Sequence, residues 1–386
     1  MTSTNGIPYG RHNITEEDVK AVSEILSSQW LTTGPAVKNF EDLLAEKIGL
    51  KTITVSSGTA ALHSAYAAIG ISPGDEVITP PLTFIATQAT AALLGANVRF
   101  ADIQEDTGNI DPKRVAETIT TRTKAIVAVD YAGHPADLDE LRELSTTHGI
   151  YLIEDAAHSL GSTYKGRMVG SIADLTTFSF FPTKNMTTGE GGAVSSISPE
   201  LLKRAERFSR QGLVRNSEDF LLRDEGPWHQ EVQQFGLNYR LPDILCALGI
   251  SQVSRLDYFK SERTRVFNEY LKALSDITEV RLPTQRNYVE TNWHLFPIRV
   301  PKSARLALFN HLRGHGILVQ VNYLPAHLHP VFGQTYSRGQ FPVSEEFYAQ
   351  EISLPMFVDS KVFTEEYFAR IARIIKEFFH SSKIGG

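Results

Sequence analysis

The chain has 386 residues, 42% of them hydrophobic and 21% charged, with a formal net charge of -6. That length buries a large core and argues for two domains, while the mildly acidic balance, with no basic stripe, argues against general nucleic-acid binding. The single cysteine, Cys246, excludes an internal disulfide framework and a multi-thiolate metal site, and a reducing cytoplasm is the simplest compartment; no residue is singled out as a metal ligand, and no metal is expected.

The first residues, Met1-Thr-Ser-Thr-Asn-Gly, show no basic start followed by an apolar stretch, so no secretory signal is expected. The apolar runs are too short to span a bilayer. Glu16 to Ser27 reads as a helix with Thr15 as N-cap and Val19, Val22, Ile25 and Leu26 on one face. Leu31-Thr-Thr-Gly-Pro35 is a turn, and Val37 to Ile48 a second helix. Short apolar strands then alternate with helices. Strands are expected at Ile53–Val55, Glu76–Ile78, Val98–Ala101, Ala125–Val129 and Tyr151–Glu154. Helices are expected at Thr59–Ile69, Ile85–Leu94, Pro112–Thr118 and Leu138–His148. The alternation predicts an α/β domain with a mostly parallel sheet. The texture changes near Pro242, where one long helical pattern runs from Ile244 to about Leu274. Asn292–Val300 and Leu318–Val321 read as strands, and Ser303–His315 and Glu365–Phe379 as helices. The expected division is residues 1–245, an N-terminal arm and large domain, and residues 246–386, a small α+β domain.

Four features sit where an open α/β sheet places ligands, beyond the carboxyl ends of its strands. Ser56-Ser57-Gly58-Thr59-Ala60-Ala61 follows a strand and opens a helix. Its free N–H groups and positive dipole end suit a phosphate, although small residues at such a turn are more often plain packing. Phe84, in Pro80-Pro-Leu-Thr-Phe-Ile-Ala86, can stack on a planar group or fill the core. Asp155 ends an apolar strand, where a carboxylate needs a cationic partner such as a pyridinium nitrogen, or else caps a helix. His158 follows about one helical turn later. Lys184 lies between an aromatic run and a small-residue loop, in Ser179-Phe-Phe-Pro-Thr-Lys184-Asn-Met-Thr-Thr-Gly-Glu-Gly-Gly192. Partial desolvation there lowers an amine's pKa, as a Schiff-base lysine requires. Ser179 can donate to a phosphate or simply satisfy its loop. Phosphate anchor, ring stack, ring-nitrogen carboxylate and amine together describe a site for pyridoxal 5′-phosphate (PLP).

These residues resemble the DegT/DnrJ/EryC1/StrS family of PLP-dependent sugar aminotransferases. The resemblance runs from Ile14-Thr-Glu-Glu-Asp-Val through Ser57-Gly-Thr-Ala-Ala-Leu, Glu154-Asp-Ala-Ala-His and Phe178-Ser-Phe-Phe-Pro-Thr-Lys-Asn to Gly236-Leu-Asn-Tyr-Arg-Leu-Pro-Asp. It implies fold type I, the aspartate aminotransferase-like fold, with a mostly parallel seven-stranded sheet in the large domain and a small α+β C-terminal domain. It implies that Lys184 carries the cofactor, Asp155 pairs with its ring nitrogen, Phe84 stacks on its ring and His158 lies near its ring hydroxyl. Gly58, Thr59, Ala60 and Ser179 would hold the phosphate, and Asn238 would reach the phosphate of a neighbouring subunit in a homodimer with shared sites. The implied reaction moves an amino group from L-glutamate to a keto-sugar nucleotide. Arg240 is a candidate for the donor carboxylate, with a surface ion pair as the plainer alternative. Lys184 itself favours amino transfer, because dehydratase relatives carry His there.

The segment Gly316 to Pro330 and Phe347 to Pro355 are similar to the branch that aminates C-4 of a UDP-linked keto-deoxysugar of the pseudaminic acid type. Pro182-Thr-Lys-Asn-Met-Thr-Thr-Gly-Glu instead resembles perosamine-type branches, which leaves a GDP-sugar or UDP-pentose 4-aminotransferase as the alternative. A non-catalytic regulatory member of the fold is a further one. Tyr323, His327 and His329 are candidate substrate residues, or exposed loop residues.

Overall fold

The computed structural model describes residues 6–222 and 225–384. Seven strands form the main sheet: β1 (Thr52–Val55), β2 (Glu76–Thr79), β3 (Asn97–Phe100), β4 (Thr123–Val129), β5 (Tyr151–Asp155), β6 (Leu175–Ser179) and β7 (Gly192–Ser196). Their order is β1-β7-β6-β5-β4-β2-β3. All neighbours are parallel except β7, which runs antiparallel to both β1 and β6. The central strands are buried on both faces and read as near-continuous apolar or small-residue runs. That double burial hides β6 and β7 from any reading of alternating polarity.

Among the described residues, seven helices accompany the sheet, the first of them packing chiefly on a later helix rather than on the strands. They are α1 (Glu16–Leu26), α2 (Pro35–Ile48), α3 (Gly58–Ala68), α4 (Ala86–Leu93), α5 (Pro112–Thr118), α6 (Leu138–His148) and α7 (Pro199–Ser209). Thr15 caps α1 in a reciprocal arrangement with Asp18. Pro35 occupies the first turn of α2, where its missing N–H costs nothing.

The long helical pattern after Pro242 is two helices, α8 (Asp243–Val253) and α9 (Leu256–Leu274). The chain turns at Ser254-Arg255, where Arg255 leaves helical geometry and its guanidinium pairs with the buried Asp18 at 2.5 Å. α8 packs on α1 and α2. The texture change at Pro242 therefore marks the start of a helix that stays with the N-terminal elements. α9 crosses between cores: Leu256 and Phe259 join Phe40, Leu44 and Phe180, whereas Val266, Phe267 and Tyr270 join Trp293 and Phe296. The C-terminal core is completed by β8 (Phe296–Arg299), α10 (Lys302–Gly314), α11 (Pro342–Gln350), β9 (Glu351–Leu354) and α12 (Glu365–Ile384), with β8 and β9 antiparallel. The strand expected over Asn292–Val300 is the shorter β8. Among the described residues no helix is long and apolar enough to cross a membrane.

Candidate active site

The carboxyl ends of β1, β2, β5 and β6 open onto one cavity of ≈ 370 Å³. Its lining includes Gly58, Thr59, Phe84, Asp155, His158, Ser179, Lys184 and Tyr323. All but Tyr323, which comes from a loop of the C-terminal part, arrive because a strand of the sheet ends there and the following turn exposes them.

Gly58 opens α3 directly after β1. A Cβ at this position would stand 2.8 Å from Ser179 Cβ, so only glycine lets the helix start sit against the end of β6. Ser57 caps the helix by accepting the Ala60 N–H at 3.1 Å. The first intrahelical bond runs from the Ala61 N–H to the Ser57 carbonyl at 3.0 Å. Gly58 and Thr59 thus present backbone N–H groups ahead of the helix ladder, beside the Ser179 hydroxyl. Ala60 itself is buried and outside the cavity lining.

Asp155 is the last residue of β5, level with Val129 and Thr177 of its neighbours. Its Oδ2 accepts the Thr87 hydroxyl at 2.8 Å and its Oδ1 accepts the Ala157 N–H at 3.2 Å. Burial raises its pKa, against the opposing pull of those two bonds and of Lys184. The His158 Nε2 lies 3.3 Å from the Tyr323 hydroxyl, and its ring packs on His294 at 4.2 Å between centroids. Burial and then the Lys184 charge push its pKa well down, so the ring is neutral.

Lys184 follows a turn closed by its own N–H to the Phe181 carbonyl at 2.9 Å. The Asn185 amide donates to the Asn292 carbonyl at 2.7 Å, anchoring the turn. Desolvation lowers the amine's pKa to about 8, with Asp155 opposing. Phe84 stands over the cavity, 58% exposed, with its ring 6.0 Å from that of Tyr323.

Other expected residues lie elsewhere. Asn238 is exposed, outside the lining of its own chain's cavity. Arg240 donates to the Gln211 side chain at 3.2 Å and lines a separate basic cavity of ≈ 540 Å³. His327 is buried against Phe100 and Phe341, with Nε2 3.1 Å from Glu345. His329 is half-buried in a tight turn, its N–H on the Ala326 carbonyl. Neither histidine lines the Lys184 cavity. The cavity adds Tyr9, Thr87, Glu190 and His294, which sequence reasoning did not single out. Thr87 had one available signal, its position about one helical turn beyond Phe84. His294 had none, since its place depends on packing across the two cores.

The model of the DegT/DnrJ/EryC1/StrS aminotransferase family matches residues 12–376. The chain belongs to this family. It is 36% identical over 384 residues to the UDP-4-amino-4,6-dideoxy-N-acetyl-beta-L-altrosamine transaminase of Campylobacter jejuni, covering 96% of this chain and 99% of that one. The structure of Helicobacter pylori PseC, an aminotransferase of pseudaminic acid biosynthesis, superposes with a TM-score of 0.90 at 31% identity, covering 97% of this chain and all of that one. A sugar aminotransferase homologue from Streptococcus pneumoniae, solved in its PLP form, superposes with a TM-score of 0.89 at 28% identity over 97% of this chain and 99% of that one. The chain is accordingly a PLP-dependent sugar aminotransferase of fold type I. Its residues fit the cofactor: the Gly58–Ser179 notch has room and donors for a phosphate, the buried Asp155 suits a cationic partner, and Lys184 is an amine of depressed pKa.

Proposed function

We propose that this aminotransferase moves an amino group from L-glutamate to the C-4 keto group of a UDP-linked keto-deoxysugar, in a pathway of the pseudaminic acid type. The observation that carries the chemistry is the meeting of Lys184, Asp155 and the Gly58–Ser179 notch in one cavity. The substrate class rests on the similarity to the Campylobacter jejuni transaminase.

PLP supplies an aldehyde that takes up the amino group and a protonated ring that withdraws electrons. Asp155, its carboxylate fixed by Thr87 and Ala157, would pair with the ring nitrogen and favour its protonated form. Gly58, Thr59 and Ser179 would hold the phosphate, and Phe84 would lie against the ring. His158, kept neutral by burial and with its Nε2 beside the Tyr323 hydroxyl, would stand next to the ring as an uncharged hydrogen-bonding group. Lys184, with its pKa near 8, accepts and returns a proton at Nζ near neutral pH.

The working unit in this reading is a homodimer in the cytoplasm. Leu221, Trp228 and Phe235 are 77%, 78% and 97% exposed around the segment that leads to Asn238. Such apolar exposure suits a second copy. Asn238 would then complete the partner's phosphate site, and Arg240, two residues on, would arrive with it to meet the donor carboxylate.

The test is a product assay with L-glutamate and 4-keto sugars linked to UDP, GDP and dTDP. Release of 2-oxoglutarate with a C-4 amino sugar from the UDP substrate is the expected result. Turnover confined to a GDP sugar would move the enzyme to the perosamine-type branch, and an amine at C-3 would overturn the assigned position.

A further inference from the structure

Arg263 is a buried cation with an unusual set of partners. It is 2% exposed on α9, and its desolvation lowers its pKa to about 10. No carboxylate pairs with it among the described residues. Its Nη1 donates to the Trp293 carbonyl at 3.0 Å and to the Met356 carbonyl at 3.4 Å. Its Nη2 donates to the carbonyl of Lys184 at 3.2 Å. Burying an unpaired guanidinium is costly, and a plain core position would be better filled by an apolar side chain of similar volume. What this cation does that an apolar residue cannot is hold three carbonyls from three separate segments.

Those segments matter to the site. One is the turn that carries Lys184, one immediately precedes His294, and one follows β9. Arg263 also sits where α9 passes from one core to the other, four residues after Phe259 and three before Val266. We infer that Arg263 is a positioning residue for Lys184, fixing the backbone of the amine to the helix that joins the two cores. It touches neither the reacting atoms nor the cofactor pocket directly. The inference rests on the reading of Lys184 as the residue that binds the cofactor covalently.

A lysine at this position keeps the charge, but its three donors radiate from one nitrogen and do not reproduce the guanidinium's spread across three separated carbonyls. Arg263→Lys and Arg263→Met are compared with the wild-type protein by thermal unfolding, by the rate of covalent PLP uptake, and by the pH midpoint of the bound cofactor's absorption. Borohydride reduction and peptide mass locate the cofactor in the wild type. The expected result is a folded Arg263→Lys protein whose PLP uptake is about ten- to hundredfold slower, with a displaced pH midpoint. Unchanged uptake and midpoint in a folded variant would overturn the inference. So would failure of both variants to fold, which would make Arg263 a determinant of the fold rather than of the amine's position. Cofactor attached to another residue in the wild type would instead refute the reading of Lys184.

Discussion

Lys184 shows how a functional group works against the fold that holds it. Its pKa falls from the ordinary 10.5 to about 8 because the ammonium is desolvated. Below pH 8 the amine is charged in both folded and unfolded chains, so the folded state carries the whole cost of burying that charge. The cost fades as pH rises from 8 to 10.5 and is absent above it. Lys184→Met should therefore stabilise the cofactor-free protein near neutral pH by roughly 1–2 kcal/mol, allowing for the side chain's partial exposure. The advantage should shrink towards about pH 10, and turnover should fall by about 10²–10⁴ or more. Paired thermal melts at the two pH values decide it; a gain independent of pH would mean that packing, not charge, sets the difference. The residues legible beforehand were those with local signatures: Gly58 at a strand–helix turn, Asp155 at a strand end, Lys184 beyond an aromatic run. Thr87 and His294 act through contacts at sequence separations of 68 and 136 residues, to Asp155 and His158. No local pattern encodes such pairings.

At the scale of elements, alternation of strands and helices was readable as far as β5, because Gly-, Pro- and Asp-bearing turns separate the short apolar strands from the helices, even where a helix such as α3 is buried almost all round. It failed at β6 and β7, which lie buried between neighbours, and at the α8–α9 break, which depends on the distant Asp18. Asp243 illustrates the same dependence. It opens α8, yet its carboxylate accepts the N–H groups of Gly34 at 2.8 Å and Ala36 at 3.0 Å, capping the start of α2 more than two hundred residues away. It is fully buried, so removal leaves both donors unpaired. Asp243→Ala should cost about 1–3 kcal/mol, and Asp243→Asn less, since an amide oxygen still accepts. Denaturant titration checks the order. Equal losses for the two substitutions would show that the charge, not the cap, is what matters.

At the scale of the whole molecule, the cavity of one chain contains Lys184, Asp155 and the phosphate notch but not Asn238 or Arg240. If Asn238 serves the neighbouring copy, the two residues of one working site come from different chains, and this has a consequence that a single-chain site cannot imitate. Lys184→Ala and Asn238→Ala proteins are each prepared separately and show little activity. In a mixed dimer, one site combines both defects, while the other combines the intact Lys184 of one chain with the intact Asn238 of its partner. Random exchange of equal amounts makes half the dimers mixed, each with one sound site of two, so activity should recover to about a quarter of the wild-type value. Recovery should require subunit exchange, and so should appear slowly after mixing and be blocked by cross-linking beforehand. If Asn238 acts within its own chain, every chain in the mixture carries one defect and mixing restores nothing. Activity of the mixed sample followed over time, with sedimentation to establish the dimer, therefore separates a shared site from a self-contained one.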